Sequence, residues 1–521
     1  MRNSLPRQVS EASFNKALDG FGAIAGKVQV KTSASDLDSY RDPFALGMEE
    51  SDASAAVTPA SVEEVQAIVR VANEYRIPLW TVSTGRNFAY GGAAPRLPGS
   101  VILDLKRLNR IIEVNEDLAY AMVEPGVTYF DLYAHLKNKG IKLWIDPPAP
   151  GWGSVVGNTL ERGFGYTPYG DHAAVQCGME VVLANGELIR TGMGAMTDNV
   201  SWPLYKPGYG PSYDAMFMQS NFGIVTKMGV WLMPQPDTAL LCTAKFHHES
   251  DLELIVDTLR PLRLNQTIQN NAVIEGPVRW AAGVSTRDQW YQGDGAMPRT
   301  AIETMIRELG IGWWNLRFGL YGPSEIVDAN YRIVKKALAK ILGAELSAKK
   351  YHHDEPTGGG DKLMVGIPNL AAFQMLNWRG GNGAHIDFSP ICPATGRDAV
   401  RQYQMVQARA NESGVDYYGG FTAGTRHLHH VFAAIFDRNN IQHCAQVATL
   451  FKALIADVRK AGYGEYRTHL HHMDQVANQY DFNSHALLRM SEAIKDALDP
   501  AGILSPGKQG IWPRALRDFK P

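Results

Sequence analysis

Apolar residues recur at helical spacing in Val62, Val65, Ile68, Val69 and Ala72, which puts their side chains on one face. Ser61 precedes this stripe and Glu64 follows three positions later, a capping-box pattern that marks where the helix starts. The next apolar block, residues 77–82, is continuous rather than periodic and predicts a buried strand. Further strands are predicted over 101–105 and 120–124, and a hairpin over 180–191 that turns at Asn185-Gly186, the strongest short-range hairpin signal. Beyond a proline pair at Pro234 and Pro236, which marks a boundary, amphipathic helices are predicted over 251–262 and 324–342, and a polar loop over 352–362. The first forty residues are polar and irregular, and residues 500–512 are rich in glycine and proline. Helices and hairpins mix without a regular βαβ alternation. No G-x-G-x-x-G follows a strand and no Walker-type P-loop is present, so a Rossmann dinucleotide domain is not expected.

At 521 residues the chain calls for two or more domains. Its 51 basic and 53 acidic side chains nearly cancel, so it lacks the basic footprint of a nucleic-acid binder. Cys177, Cys242, Cys392 and Cys444 are far apart and form no CxxC pair, which argues against a zinc ribbon or redox dithiol. The N-terminus has no apolar h-region, no run reaches the roughly 18 apolar residues of a membrane span, and the last residues match no targeting address. A cytoplasmic protein without membrane partners is the expectation.

Two segments carry the chemistry. Residues 83–92 (Ser-Thr-Gly-Arg-Asn-Phe-Ala-Tyr-Gly-Gly) form a glycine-punctuated turn after an apolar strand, suited to holding a pyrophosphate on backbone N–H groups. In residues 382–390 (Asn-Gly-Ala-His-Ile-Asp-Phe-Ser-Pro), His385 and Asp387 stand two apart in a strand-like run and share a face. The runs His427-Leu428-His429-His430 and His469-Leu470-His471-His472 lack HExxH spacing, and no metal is expected.

These segments resemble the flavin-binding turn and the flavin-linking histidine strand of the vanillyl-alcohol oxidase family. The resemblance extends through residues 156–158, 165–172, 179–187, 219–228, 464–469 and 505–508, and so covers nearly the whole chain. It implies an α+β fold: a PCMH-type FAD-binding domain of two α/β subdomains, with an α+β cap domain over the flavin. The FAD-binding part would take residues 1–237 and 468–521, and the cap 238–467. It implies diphosphate contact by Gly85, Arg86, Asn87, Gly91 and Gly92. Further cofactor contacts would come from Gly157, Asn158, Gly165, Tyr169, Gly170, Ile224, Val225 and Lys508. His385 aligns with the histidine bonded to the flavin 8α-methyl group. The tyrosine that links the flavin in the p-cresol methylhydroxylase branch is replaced here by Leu376. Tyr90, Tyr466 and Arg467 match the trio that binds the substrate phenol oxygen, and Tyr166 matches a further pocket tyrosine. The implied reaction is oxidation of para-substituted phenols through a para-quinone methide, with O2 as acceptor and H2O2 as product, in a homodimer or larger homo-oligomer.

The pattern also departs from those relatives. Two acidic pocket positions carry Ala149 and Ala372 here, while Asp387 stands where relatives are apolar or glycine. Asp387 is therefore expected to supply the missing acid/base function, and the two alanines to widen the pocket. Two alternatives remain open: a dehydrogenase that passes electrons to a cytochrome c, and a flavin-fold binding protein without turnover.

Overall fold

A computed structural model describes residues 5–47, 51–351 and 360–519. The polar loop expected over 352–362 lies mostly outside the described residues. The chain folds as an α+β protein. The expected capped helix runs over Val62–Tyr75, with the Ser61 side chain accepting from Glu64 N. The Asn185-Gly186 turn joins the strands Gln176–Val182 and Leu188–Arg190, with Gly186 at φ +81°. The expected helices appear as Leu252–Leu264 and Ser324–Leu338.

Residues before 232 build two sheets. In the first, Ala55–Val57, Val101–Asp104 and Leu79–Val82 run parallel, and Val30–Lys31 closes one edge antiparallel. The second is antiparallel, in the order Ile111–Asn115, Tyr120–Val123, Ile224–Trp231, Gln176–Val182, Leu188–Arg190. Residues 238–465 form a nine-stranded antiparallel sheet. The tail then returns to the first part of the chain, where Leu504 bridges Leu79 in parallel and Thr81 N donates to Ser505 Oγ.

The large sheet has two unlike faces. Ala384, Ile386 and Phe388 alternate with His385 and Asp387 along Gly383–Phe388, and the apolar set joins a core built with the helices Leu252–Leu264, Gly396–Glu412 and Ile441–Lys460. Register fixes what lies on the other face. Ala433 pairs with Asp387 on one side and Tyr418 on the other, and two rows further on Thr422 pairs with His429. Directly paired residues share a face. His385, Asp387, Tyr418 and His429 are thus presented together, with Glu275 and Arg317 joining them through the strands Ala272–Glu275 and Trp314–Gly322.

A buried ion pair fastens the tail. Lys495 Nζ meets Asp499 Oδ2 at 2.7 Å with both side chains fully buried, and donates to Asn221 O and Leu504 O at 2.8 and 2.6 Å. Asp499 in turn accepts from Ile503 N and Leu504 N. Removing one member leaves an uncompensated buried charge, a cost of roughly 3–5 kcal/mol. Lys495→Met is expected to lower the denaturant midpoint accordingly, read by tryptophan fluorescence, and to do so more than Lys452→Met on the protein surface.

Candidate active site

The strand Leu79–Val82 delivers the chain into a cleft lined by residues 80–87, 153–158, 217–225, 467–468 and 504–508, enclosing about 1390 Å³ of empty space, its mouth included. The backbone N–H groups of Gly85, Arg86 and Asn87 make no hydrogen bond among the described residues. Ser220 Oγ and Asn221 Oδ1 are buried without a partner at the same cleft. Successive free N–H groups at a turn form an anion-binding concavity. This cradle fits a dinucleotide diphosphate. Gly85 adopts φ +66°, and a Cβ there would meet Ala93 Cβ at 2.9 Å, so the turn requires glycine.

Gly92, Gly157, Asn158, Ile224, Val225 and Lys508 also line the cleft. Lys508 Nζ pairs with Glu161 Oε1 at 2.6 Å, so its charge is already matched. Arg86 turns toward Trp152, donating to its carbonyl at 3.3 Å. Asn158 is held from behind: its Oδ1 meets His172 Nδ1 at 2.5 Å, and His172 Nε2 meets Asp146 Oδ2 at 2.7 Å.

Four sequence-predicted contacts are placed elsewhere. Gly91 sits at φ +103°, and a Cβ on it would lie 1.9 Å from Leu470 Cδ2, so this glycine serves close packing against the 470 segment. Gly165 and Gly170 close a turn, with Gly165 N donating to Gly170 O, and abut Asp146 and Asn271. Tyr169 faces a separate depression beside Pro234 and Tyr321. That turn aims Phe164 and Tyr166 at the other half of the site, their rings 6.2 Å apart.

The predicted trio does converge. Arg467 Nη2 lies 3.0 Å from Tyr90 Oη, and its guanidinium stands 4.3 Å from the Tyr90 ring centroid and 5.5 Å from that of Tyr466. Tyr466 Oη and Arg467 Nε are buried without a partner. Burial raises the hydroxyl pKa values of Tyr90, Tyr466 and Tyr166, and Arg467 is also raised, chiefly by Tyr466 and Tyr90 against the cost of burial. The site therefore offers neutral hydroxyl donors around a fixed cation.

Asp387 bridges this trio to His385. Tyr90 Oη lies 3.5 Å from Asp387 Oδ2, and Asp387 Oδ1 lies 2.8 Å from His385 Nδ1. Burial alone would raise the Asp387 carboxyl, but His385, then Arg467 and Arg279, outweigh it and hold it below the ordinary value. An ionised carboxylate only accepts, so His385 Nδ1 is the donor in this contact. Phe44 packs on the His385 ring at 5.3 Å. The loop carrying Phe44 is tied down by Asp42, which meets His469 Nε2 at 2.9 Å.

Several neighbours were not found from the sequence. His429 lies 4.9 Å from both the Tyr466 and Phe164 rings, and burial, His427 and Arg467 push it down to about 3. Glu465 is buried, with one oxygen accepting from Ser389 N at 3.4 Å and the other unpartnered, and burial raises it well above the carboxylate range. Glu275 binds Arg317 and Arg279 behind Tyr166. The only clue to that cluster was the i,i+4 spacing of Glu275 and Arg279. Asp42, His469 and His471 bring ligand-type atoms within 4.8 Å of one another, a grouping invisible in sequence because Asp42 is so remote. Among the described residues, no helix is long and apolar enough to cross a membrane.

Comparisons with known proteins agree with this geometry. A family model for an FAD binding domain matches residues 53–192, and one for the C-terminal domain of FAD linked oxidases matches residues 319–509. The chain is 41% identical over 512 residues to the 4-cresol dehydrogenase [hydroxylating] flavoprotein subunit of Pseudomonas putida, covering 97% of each chain. It is similar to the solved 4-ethylphenol oxidase of Gulosibacter chungangensis in complex with isoeugenol, at 41% identity and TM-score 0.95, over 99% of this chain and 100% of that one. It is also similar to p-cresol methylhydroxylase with substrate bound, at 40% identity and TM-score 0.94, over 98% and 99% of the two chains. The fold is thus of the PCMH type and the cofactor FAD. The chain belongs to the vanillyl-alcohol oxidase and p-cresol methylhydroxylase family of FAD-dependent oxidoreductases.

Proposed function

We propose that this protein oxidises para-substituted phenols at the benzylic carbon. The observation that carries the reading is the set of buried donors, Tyr466 Oη and Arg467 Nε, left without protein partners beside the Tyr90–Arg467 contact. In this reading residues 1–237 and 468–521 hold the FAD and residues 238–467 cover it. Gly85, Arg86 and Asn87 hold the diphosphate on their N–H groups, and His385 forms the covalent link. Bound FAD supplies the two-electron acceptor for the benzylic hydride and, with O2 as final acceptor, returns the electrons as H2O2.

The chain's own residues do the rest. A phenol has a pKa near 10, so ionising it at neutral pH requires about 4 kcal/mol of selective stabilisation. Tyr90, Tyr466 and Arg467 provide it through charge-assisted hydrogen bonds, which are the strong ones. Asp387 Oδ2 can accept the phenolic proton by way of the Tyr90 hydroxyl. Hydride loss from the phenolate leaves a neutral para-quinone methide, which either adds water or sheds a side-chain proton to give an alkene. As the ring regains aromaticity the phenolate oxygen takes its proton back from Asp387 through Tyr90, and the freed carboxylate then accepts the proton lost by the added water or by the side chain.

Asp387 thus does two things, holding the His385 tautomer and accepting protons, where sequence reasoning assigned only the second. Asp387→Asn is expected to lower kcat/KM by about 10²–10⁴-fold, and also to lower the fraction of flavin that stays with acid-precipitated protein. Unchanged turnover and product ratio in that variant would overturn the assignment. Since Asp387 is held below the ordinary carboxylate value of about 3.9, kcat/KM should stay level down to about pH 5. An acid limb near pH 6 that vanishes in Asp387→Asn would show that the Asp387 carboxyl is raised rather than depressed. The same depression stabilises the fold above that ordinary value, and the contribution is lost as pH falls through the folded-state value.

O2 is favoured as acceptor by the similarity to a 4-ethylphenol oxidase and by Leu376 at the linking-tyrosine position. A second reading, electron transfer to a cytochrome c, is kept because the Pseudomonas putida relative is a dehydrogenase flavoprotein subunit. Oxygen consumption with an alkylphenol separates the two. Rapid uptake with stoichiometric H2O2 supports the oxidase. Substrate bleaching of the flavin that persists in air supports the dehydrogenase.

A further inference from the structure

Behind Tyr166 the cap sheet holds three charged side chains. Glu275 Oε2 accepts from Arg317 Nε at 2.8 Å, and Oε1 accepts from Arg317 Nη2 at 2.9 Å and Arg279 Nε at 3.1 Å. Arg317 therefore takes the two-pronged contact, while Arg279 is held by Nε alone. Its two Nη groups make no hydrogen bond among the described residues and are not among the fully buried orphan atoms. A guanidinium anchored at Nε with its fork open is preorganised to grip a planar anion bidentately.

Sheet register puts Glu275, and with it the Arg279 guanidinium, on the face that carries Tyr418, His385 and Asp387. Arg279 lies on the short helix Pro277–Ala281, packed against the strands Tyr418–Ala423 and Trp314–Gly322. Its charge is felt at Tyr166, Tyr418 and Asp387. Along the sheet between Glu275 and Asp387 the paired positions are Gly420 with Val431 and Tyr418 with Ala433.

We propose that Arg279 determines substrate specificity by binding a carboxylate at the end of the para side chain, so that the preferred substrates are 4-hydroxyphenyl compounds with a short acidic side chain. This rests on the phenol reading: Arg467 and the tyrosines hold one end of the molecule and Arg279 the other. The charges accommodate both ends. The carboxylate matches Arg279, Glu275 matches Arg317, the phenolate matches Arg467, and Asp387 becomes neutral on taking the phenolic proton.

The test uses the FAD-loaded protein and a ligand pair with no benzylic hydride to lose, 4-hydroxycinnamate and its methyl ester, with binding read from the flavin absorbance change. The acid should bind at least about tenfold tighter than the ester, a difference of roughly 1.4 kcal/mol. In Arg279→Gln the acid-to-ester ratio should fall to about one, and Arg279→Lys should retain part of it, as a charge without a fork does. An ester that binds the wild-type protein as well as the acid does overturns the proposal without any variant. So does a ratio that survives Arg279→Gln. Flavin bleaching by 4-ethylphenol is measured alongside. If it occurs while neither cinnamate ligand binds, the carboxylate proposal fails and the phenol reading stands. If the acid binds preferentially through Arg279 but no 4-alkylphenol or 3-(4-hydroxyphenyl)propanoate bleaches the flavin, the oxidation reading fails and the carboxylate site stands.

Discussion

The site depends on keeping a guanidinium and a carboxylate charged deep in the protein without letting them meet. Taking either ion out of water costs several kcal/mol, and a direct Arg467–Asp387 contact would recover the most Coulomb energy while closing the site to ligand. The Tyr90 hydroxyl stands between them, 3.0 Å from one and 3.5 Å from the other. Asp387 is instead committed to His385, and Arg467 keeps an unpartnered Nε beside the free Tyr466 hydroxyl. Unspent hydrogen-bonding capacity is the signature of a binding site, because a purely structural site would have satisfied those groups.

Holding these groups apart takes three remote stretches of chain, each stiffened by its own device. Asp387 and His385 stand on a strand that pairs with His427–Asp437 of the large sheet, where alternation puts Ile386 and Phe388 into the helix-covered core and leaves the polar pair on the opposite face. Tyr90 follows a turn that only glycine permits at position 85 and that packs against Leu470 through the bare Gly91. Tyr466 and Arg467 are pinned on both sides, by Gln219 Nε2 donating to Tyr466 O and by His469 clasping Asp42. Helix packing on one face of the sheet is therefore what gives the other face its precision.

Much of this was legible in the sequence, for identifiable reasons. The Ser61 cap, the Asn185-Gly186 hairpin and the turn at 83–92 are local, and local chemistry dictates each one. The pairing of His385 with Asp387 was legible as a shared face, but not as a hydrogen bond that leaves Asp387 Oδ1 committed. Gly165, Tyr169 and Gly170 were assigned to the cofactor because a glycine-rich run looks alike whether it cradles a ligand or turns a corner. Here it turns a corner against Asp146 and Asn271. The Asp42–His469 clasp and the Glu275–Arg317 contact were out of reach, since only the folded sheet and the returning tail bring those positions together.

The charges near the substrate's half of the site bear on the absence of acids expected at Ala149 and Ala372. Arg467, Arg317 and Arg279 face only two ionised carboxylates, Glu275 and Asp387, because burial keeps Glu465 neutral. His429 is also neutral, held far below its ordinary value. Among these side chains three cations thus face two anions. An acid restored at position 149 or 372 would cancel that deficit from within the protein and remove the drive for a ligand to supply it. With alanines there, the deficit is met by an incoming anion. A phenol without an acidic side chain meets it by ionising, with its proton passed through Asp387 to solvent so that the carboxylate is charged again. A phenol that carries a carboxylate meets it on arrival, and its ring then ionises by passing the proton to Asp387. In both cases electroneutrality favours the phenolate, which is the form that can push a hydride from the benzylic carbon.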